Sequence, residues 1–466
     1  MNKKKSLGFT NIQFFLIFAY VVCWLSISTS FEDLIFFYNE IRYLGNKVIN
    51  IQDIINFLRQ FLNVIIFPIL LGIFIWNFKK INFRKEIIFI LAFLYFIMQI
   101  PGLFLSNNSL MNCVFVMSAF NILLIFVIAN IYFDEKKKII FTIISLVMLI
   151  VITLLNYKTI TNFFTYGSAE SLYTFFSSSE TFFGKDSPRS TGSSRTFLLI
   201  LIISLLIFYK FFEKNFFFKI FFYNIVATII LLFQSRTTLV LLLTFIIFNF
   251  LYEKKYYINN VSKYLIFYIL FPIILLYSTL YLKNIIYLNN LLDSKNINKS
   301  STSENIDKSS KYYELSYFEK FYFLNKNFKR PIDPNTFSSG RSQDWSLILK
   351  KMDKSILYGY GSQGDRYLIN QTASNGLIYA VSSSGIVGLF FFISFSLYFL
   401  LIVFKNLILE RSSSLKKNYL SSLVIFLILL RSILESSYAV FSVDFIIIFT
   451  FINFLNKFNT KENNVD

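Results

Sequence analysis

Twelve apolar windows run along the chain, at residues 9–29, 61–78, 87–105, 110–133, 139–155, 196–212, 217–233, 238–251, 262–282, 376–404, 418–434 and 438–456. Polar segments of very unequal length separate them. Apolar runs of this length predict an all-α integral membrane protein, with about twelve transmembrane helices in a single polytopic domain spanning residues 1–466. Several windows are shorter than the ~20 residues a straight crossing prefers, so their boundaries are approximate.

Two connecting segments stand out. Residues 156–195 have a Ser/Thr/Gly texture. Residues 283–375, between the ninth and tenth windows, form by far the longest connection and read as a large periplasmic loop. Its first part, Asn289 to Lys311, is rich in Asn, Ser and Lys, a composition that resists packing. Further on, Trp345, Leu347, Ile348, Leu349, Met352 and Ile356 recur at helical spacing before Gly359-Tyr360-Gly361. An amphipathic helix and a tight glycine turn are predicted there.

Charge refines this picture. The formal net charge of +19 would point a soluble protein toward nucleic acid, but here much of it is topological. Alternating the spans from an inside N-terminus places 22 of the 45 Lys+Arg in inner loops and 9 in short outer loops. The remaining 14 lie in the long outer loop, which the positive-inside rule exempts. Both termini are therefore predicted inside. The basic start Met1 to Lys5 leads into an apolar run to about Thr29 without a cleavage pattern, which reads as a retained first span. Cys23 and Cys113 lie in apolar windows and read as packing residues. The chain has no histidine, which excludes histidine metal sites and a histidine general base.

Arginine is distributed differently from lysine. Arg195, Arg236, Arg341, Arg366 and Arg431 all thread to the outer face, against the usual bias. Binding a phosphorylated or pyrophosphorylated lipid carrier would account for this, because guanidinium meets phosphate as a two-pronged donor.

Four constellations carry these arginines. Gln234-Ser235-Arg236-Thr237-Thr238 closes the seventh span, where a snorkelling arginine or a helix cap are the plainer readings. Ser338-Ser339-Gly340-Arg341-Ser342-Gln343-Asp344-Trp345 places an arginine directly after a glycine that lets backbone approach a ligand. Arg431 and Glu435 share one face near the outer end of the eleventh span, and Asp444 opens the twelfth. Ionised groups at that depth need a partner or a wet cavity, so a structural ion pair competes with a functional site. Pro188-Arg189-Ser190-Thr191-Gly192-Ser193-Ser194-Arg195 stands at the entrance of the sixth span. No Walker loop, Rossmann fingerprint, Cys/His metal set or Gly-x-Ser-x-Gly elbow occurs, nor any sign of the repeated halves and broken helices of a transporter. An outer-face reaction would then draw on a substrate already carrying an activated bond.

Ser235-Arg236-Thr237, Ser339-Gly340-Arg341 with Trp345, Gly359-Tyr360-Gly361, Ser384-Gly385-Ile386-Val387-Gly388 opening the tenth span, and Arg431-Ser432 with Glu435 and Asp444 resemble motifs of the bacterial O-antigen polymerase (Wzy-type) and O-antigen ligase superfamily. The resemblance implies an inner-membrane enzyme working on the periplasmic face, without metal, nucleotide or other cofactor. Its substrate would be an undecaprenyl-pyrophosphate-linked oligosaccharide, its surroundings membrane lipids, and a chain-length regulator protein its partner. Nucleic acid has no part in it. Arg195, Arg236, Arg341 and Arg431 would hold the pyrophosphate. Gly340, Trp345, Tyr360, Asn375 and Asp444 would complete the donor and sugar contacts, and Tyr358, Tyr367 and Tyr379 could stack on sugar rings. Ligases resemble a pattern with His-Asn where this chain has Ser374-Asn375, which favours polymerase over ligase. The base is then a carboxylate, Glu435 first and Asp344 second, with Arg431 keeping Glu435 ionised. A lipid-linked oligosaccharide flippase is the reading from another class.

Overall fold

The computed structural model describes residues 9–27, 51–83, 86–105, 112–155, 191–233, 235–256, 266–279, 341–409 and 416–455. Gly340, Arg189 and most of the segment 283–375 lie outside them. The described residues are helical, with no strand among them. In chain order the helices are α1 (Asn11–Ile27), α2 (Ile51–Trp76), α3 (Ile87–Ile97), α4 (Gln99–Leu105), α5 (Cys113–Tyr132) and α6 (Glu135–Leu155). Then come α7 (Thr191–Ile207), α8 (Tyr209–Lys214), α9 (Phe216–Leu232), α10 (Arg236–Tyr256) and α11 (Ile266–Thr279). The last are α12 (Arg341–Lys351), α13 (Gly364–Ile369), α14 (Gly376–Phe404), α15 (Lys416–Leu434) and α16 (Val443–Leu455).

Five stretches are long and apolar enough to cross a membrane: Ile87–Phe104, Cys113–Tyr132, Lys137–Leu154, Gly376–Leu407 and Lys417–Leu434. The other apolar windows coincide with shorter apolar helices. This is a multi-pass helical membrane protein. α16 runs through its middle, from Val443 to Phe449 without an exposed side chain, and packs on α5, α6 and α15. Tyr20 ties that centre together. Its hydroxyl sits 2.7 Å from both Ser145 Oγ and Thr450 Oγ1, so a polar group inside the apolar bundle is fully partnered.

α14 departs from the sequence expectation. Ser384-Gly385-Ile386-Val387-Gly388 does not open the tenth span; it lies inside the helix and breaks it. Gly385 adopts φ 64° and ψ −166°, a conformation essentially reserved for glycine. A straight helix would set Gly376 and Phe392 about 24 Å apart. Instead, a Cβ on Gly376 would stand 3.4 Å from Phe392 Cζ, so residues 376–384 fold back against residues 386–404. The broken helix that the sequence pattern did not reveal is therefore present.

The turn after α12 closes the break. Tyr360 N–H donates to Ser382 O at 2.8 Å and Gly361 N–H to Ser383 O at 2.9 Å, while Ile386 N–H donates to Ile356 O at 3.0 Å. These bonds satisfy groups that the interrupted helix leaves open. A Cβ on Gly102 of α4 would overlap Gly361 N, so glycine there permits backbone to rest on backbone.

Candidate functional site

Five segments remote in sequence meet at one end of the bundle. α15 arrives with Arg431 in its last turn, where a cation complements the helix dipole. α16 leaves with Asp444 in its first turn, where an anion does so. α7 contributes Arg195, α12 contributes Arg341, and α14 begins at the cap Asn375.

Asp444 is the fully buried hub. Its Oδ2 accepts hydrogen bonds from Arg431 Nη1 and, at 2.8 Å, from Ser437 Oγ. Arg195 Nη1 lies 3.8 Å from Asp444 Oδ1, an ion pair rather than a hydrogen bond. Beside this hub, Arg341 Nη2 lies 3.6 Å from Glu435 Oε1, and Arg341 Nη1 donates to Leu434 O at 2.7 Å. Asn375 joins the same corner. Its Oδ1 accepts from Leu377 and Ile378 N–H at 2.9 and 3.1 Å, and its Nδ2 donates to Ile433 O at 2.8 Å.

Access to the site is graded. Side-chain exposure rises from 8% at Arg431 to 18% at Arg195 and 28% at Arg341, with Glu435 at 19%. Arg195 Nε and Asp444 Oδ1 are buried without a hydrogen-bond partner. Three guanidiniums face two carboxylates, so the cluster keeps an excess positive charge. An anion reaching it meets Arg341 and Arg195 first.

The structure thus brings together Arg195, Arg341, Arg431, Asn375, Glu435 and Asp444. Glu435 is paired with Arg341, however, and not with the neighbouring Arg431, as the four-residue spacing led one to expect. Arg431 is turned toward Asp444, although Glu435 N–H still donates to Arg431 O at 2.9 Å just past the end of α15. Arg236 starts α10, which packs on α15 and α7, but it enters none of the three ion pairs. Asp344 lies in the first turn of α12, half-buried and outside those pairs. Trp345 Nε1 donates to Ala373 O at 2.6 Å. Tyr360 is buried, stacked on Tyr367 at 5.7 Å, with its hydroxyl donating to Lys351 O at 3.0 Å. Tyr379 is buried and accepts from Gln363 N–H at 3.2 Å, whereas Tyr358, Arg366 and Tyr367 are exposed.

Two participants were not legible as sequence. Ser437 orients the hub, and its only signal is a position seven residues before Asp444. Asp365 is buried in α13, where Oδ1 accepts from Arg366 N–H at 2.9 Å and Oδ2 from Ala373 N–H at 2.7 Å. Burial pushes its carboxyl above the ordinary carboxylate range, against the pull of those two bonds. Asp365 fixes the turn that carries Ala373, the acceptor of Trp345.

Comparison with protein-family models, characterised proteins and solved structures finds no match to this chain.

Proposed function

We propose that the chain is an inverting, metal-independent membrane glycosyltransferase that polymerises undecaprenyl-pyrophosphate-linked oligosaccharide repeat units into a surface polysaccharide. The arginine cluster is taken to face the periplasm from a bacterial inner membrane, with about twelve crossings and both ends inside, a reading that the lysine asymmetry supports. One observation carries the reading: Arg195, Arg341 and Arg431, drawn from three distant helices, converge on one partly accessible corner. Guanidiniums held in place by carboxylates are pre-organised for a diphosphate that gains negative charge as it leaves.

The chemistry follows from the same geometry. The donor's pyrophosphate sits on Arg341 and Arg195, the two more exposed of the three arginine side chains. Glu435 takes the proton of the acceptor sugar hydroxyl. That oxygen attacks the anomeric carbon from the far side, the bond from that carbon to the pyrophosphate oxygen breaks, and undecaprenyl pyrophosphate leaves with the bonding pair. Configuration at the anomeric carbon inverts, and no external energy source enters.

The test is polymerisation by purified protein in lipid vesicles supplied with a single lipid-linked repeat unit. The wild type is expected to yield ladders of long chains. Arg341→Ala and Glu435→Gln are each expected to lower the rate on the order of a hundredfold. Full activity in both variants would refute the assigned roles.

A lipid-linked oligosaccharide flippase is the second reading, and the break at Gly385 together with the buried Lys138 of α6 favours it. In the same vesicles a flippase moves the repeat unit between leaflets and makes no longer product.

A further inference from the structure

We propose that the turn after α12 and the folded-back start of α14 form a cap sunk into the leaflet at the arginine end, presenting Ile356, Leu357 and Tyr358 to lipid acyl chains. Position within the bundle argues for depth. Gly361 rests against Gly102 and Leu103, and both belong to the apolar stretch Ile87–Phe104 that is long enough to cross. A Cβ on Gly388 would stand 3.4 Å from Met98 Cβ, so the second limb of α14 runs beside that same stretch. The second limb, residues 386–404, is about 28 Å long, close to the hydrocarbon thickness by itself. The crossing therefore begins at Ile386, and the turn lies level with its start.

Chemistry argues for the neighbour. Ile356, Leu357 and Tyr358 are 48%, 54% and 44% exposed, although they hang from a backbone pinned to the protein. Ile356 is bonded to Ile386 at the start of the crossing limb, where Ile386 and, one turn on, Phe390 are themselves 49% and 65% exposed. Irregular backbone tolerates hydrocarbon only where its polar groups are bonded within the protein. Around this apolar strip, Ile356 O accepts from Ile386 N–H, Gly359 N–H donates to Ser355 O at 2.8 Å, and Tyr360 and Gly361 N–H donate to α14, so these backbone groups are bonded within the protein. The proposal concerns depth in the bilayer and does not rest on glycan transfer.

The experiment uses the full chain in lipid vesicles, with Cys113→Ala so that the fully buried Cys23 is the remaining native thiol. A bimane is attached at Leu357→Cys, Tyr358→Cys or, as the lipid-facing standard, Phe390→Cys. Lipids brominated near the top of the acyl chain are expected to quench positions 357 and 358 about as strongly as 390, and aqueous iodide to reach none of them. Iodide quenching at 357 and 358 with no effect of bromolipid would place the turn in water and overturn the proposal. Protection from both quenchers would mean a protein partner covers the strip, and would overturn it too. Gly385→Ala, whose Cβ would overlap Leu357 O, supplies an independent arm. It is expected to release the turn and expose 357 to iodide while leaving 390 unchanged; equal behaviour of the two positions would count against the pinned cap.

Discussion

The bundle carries buried ionised groups at both of its ends, and the two ends use them differently. At the arginine end, guanidiniums touch carboxylates directly and exposure rises toward the mouth. At the opposite end, Glu86 and Lys138 are buried and separated by an amide. Asn130 Nδ2 donates to both Glu86 oxygens at 2.9 and 3.0 Å, its Oδ1 accepts from Lys138 Nζ, and Asn453 Oδ1 lies 3.4 Å from the same ammonium. Asn130 uses both the acceptor and the donor side of its amide for neighbours, and the set ties α3, α5, α6 and α16. An arrangement of that kind fixes helices. The arginine end retains an excess cation and a buried Arg195 Nε with no hydrogen-bond partner, features that suit the anion site proposed above. Buried charge alone therefore does not mark function; the balance of charge and its accessibility do.

Removing the hub should separate the ends most sharply. Asp444→Ala leaves Arg431 buried without its carboxylate, and is expected to cost about 3–5 kcal/mol of stability. Thermal unfolding of the purified protein would show a lowered midpoint, together with loss of polymer. Lys138→Met comes next. It removes the cation from which Asn130 and Asn453 accept and is expected to cost about 2–3 kcal/mol, with unchanged chain lengths from the protein that remains folded. If Lys138→Met instead stops movement of lipid-linked sugar between leaflets, the lysine end is working machinery and the contrast dissolves.

A smaller effect is expected from the partly exposed pair. A double-mutant cycle on Arg341→Ala and Glu435→Gln should give a stability coupling of about 1 kcal/mol or less, alongside a much larger effect on rate. A stability coupling that rivals the effect on rate would make this pair structural, like those of the lysine end. The smallest concerns pH. Because the carboxyl of Asp365 is raised on folding, its contribution is fully present below the ordinary carboxylate range and is lost as pH rises through the raised value. The stability of wild type relative to Asp365→Asn should accordingly decline as pH increases, which unfolding measured across mildly acidic pH can follow.

Much of this was readable in the chain. Long apolar runs report membrane helices directly, because hydrocarbon demands both length and apolarity. The constellation of Arg431, Glu435 and Asp444 was also visible, since ionised residues at the ends of spans stand out against their surroundings, whereas Arg341, in the long connection, was linked to it only by a shared face. Pairings were less so. Spacing of four placed Glu435 beside Arg431, but helix spacing speaks only within one helix, and α12 supplied the actual partner. The break in α14 was hidden for another reason. Ser382 to Gly388 consists of small or apolar residues that a packed crossing also uses, and only the backbone angle at Gly385 turns it. Tyr360 looked like a sugar platform by residue type; its burial follows from bonds made by the flanking backbone.

Asn375 divides one amide between two helices, its oxygen on the start of α14 and its nitrogen on the end of α15. Aspartate would keep the first bond and lose the second, serine lacks the reach for both, and glutamine carries an extra methylene where a Cβ on the next residue would already stand 3.1 Å from Ser432 O. Natural variation at this position is therefore expected to be narrow, and related chains collected from other genomes should keep asparagine here even where the arginines drift.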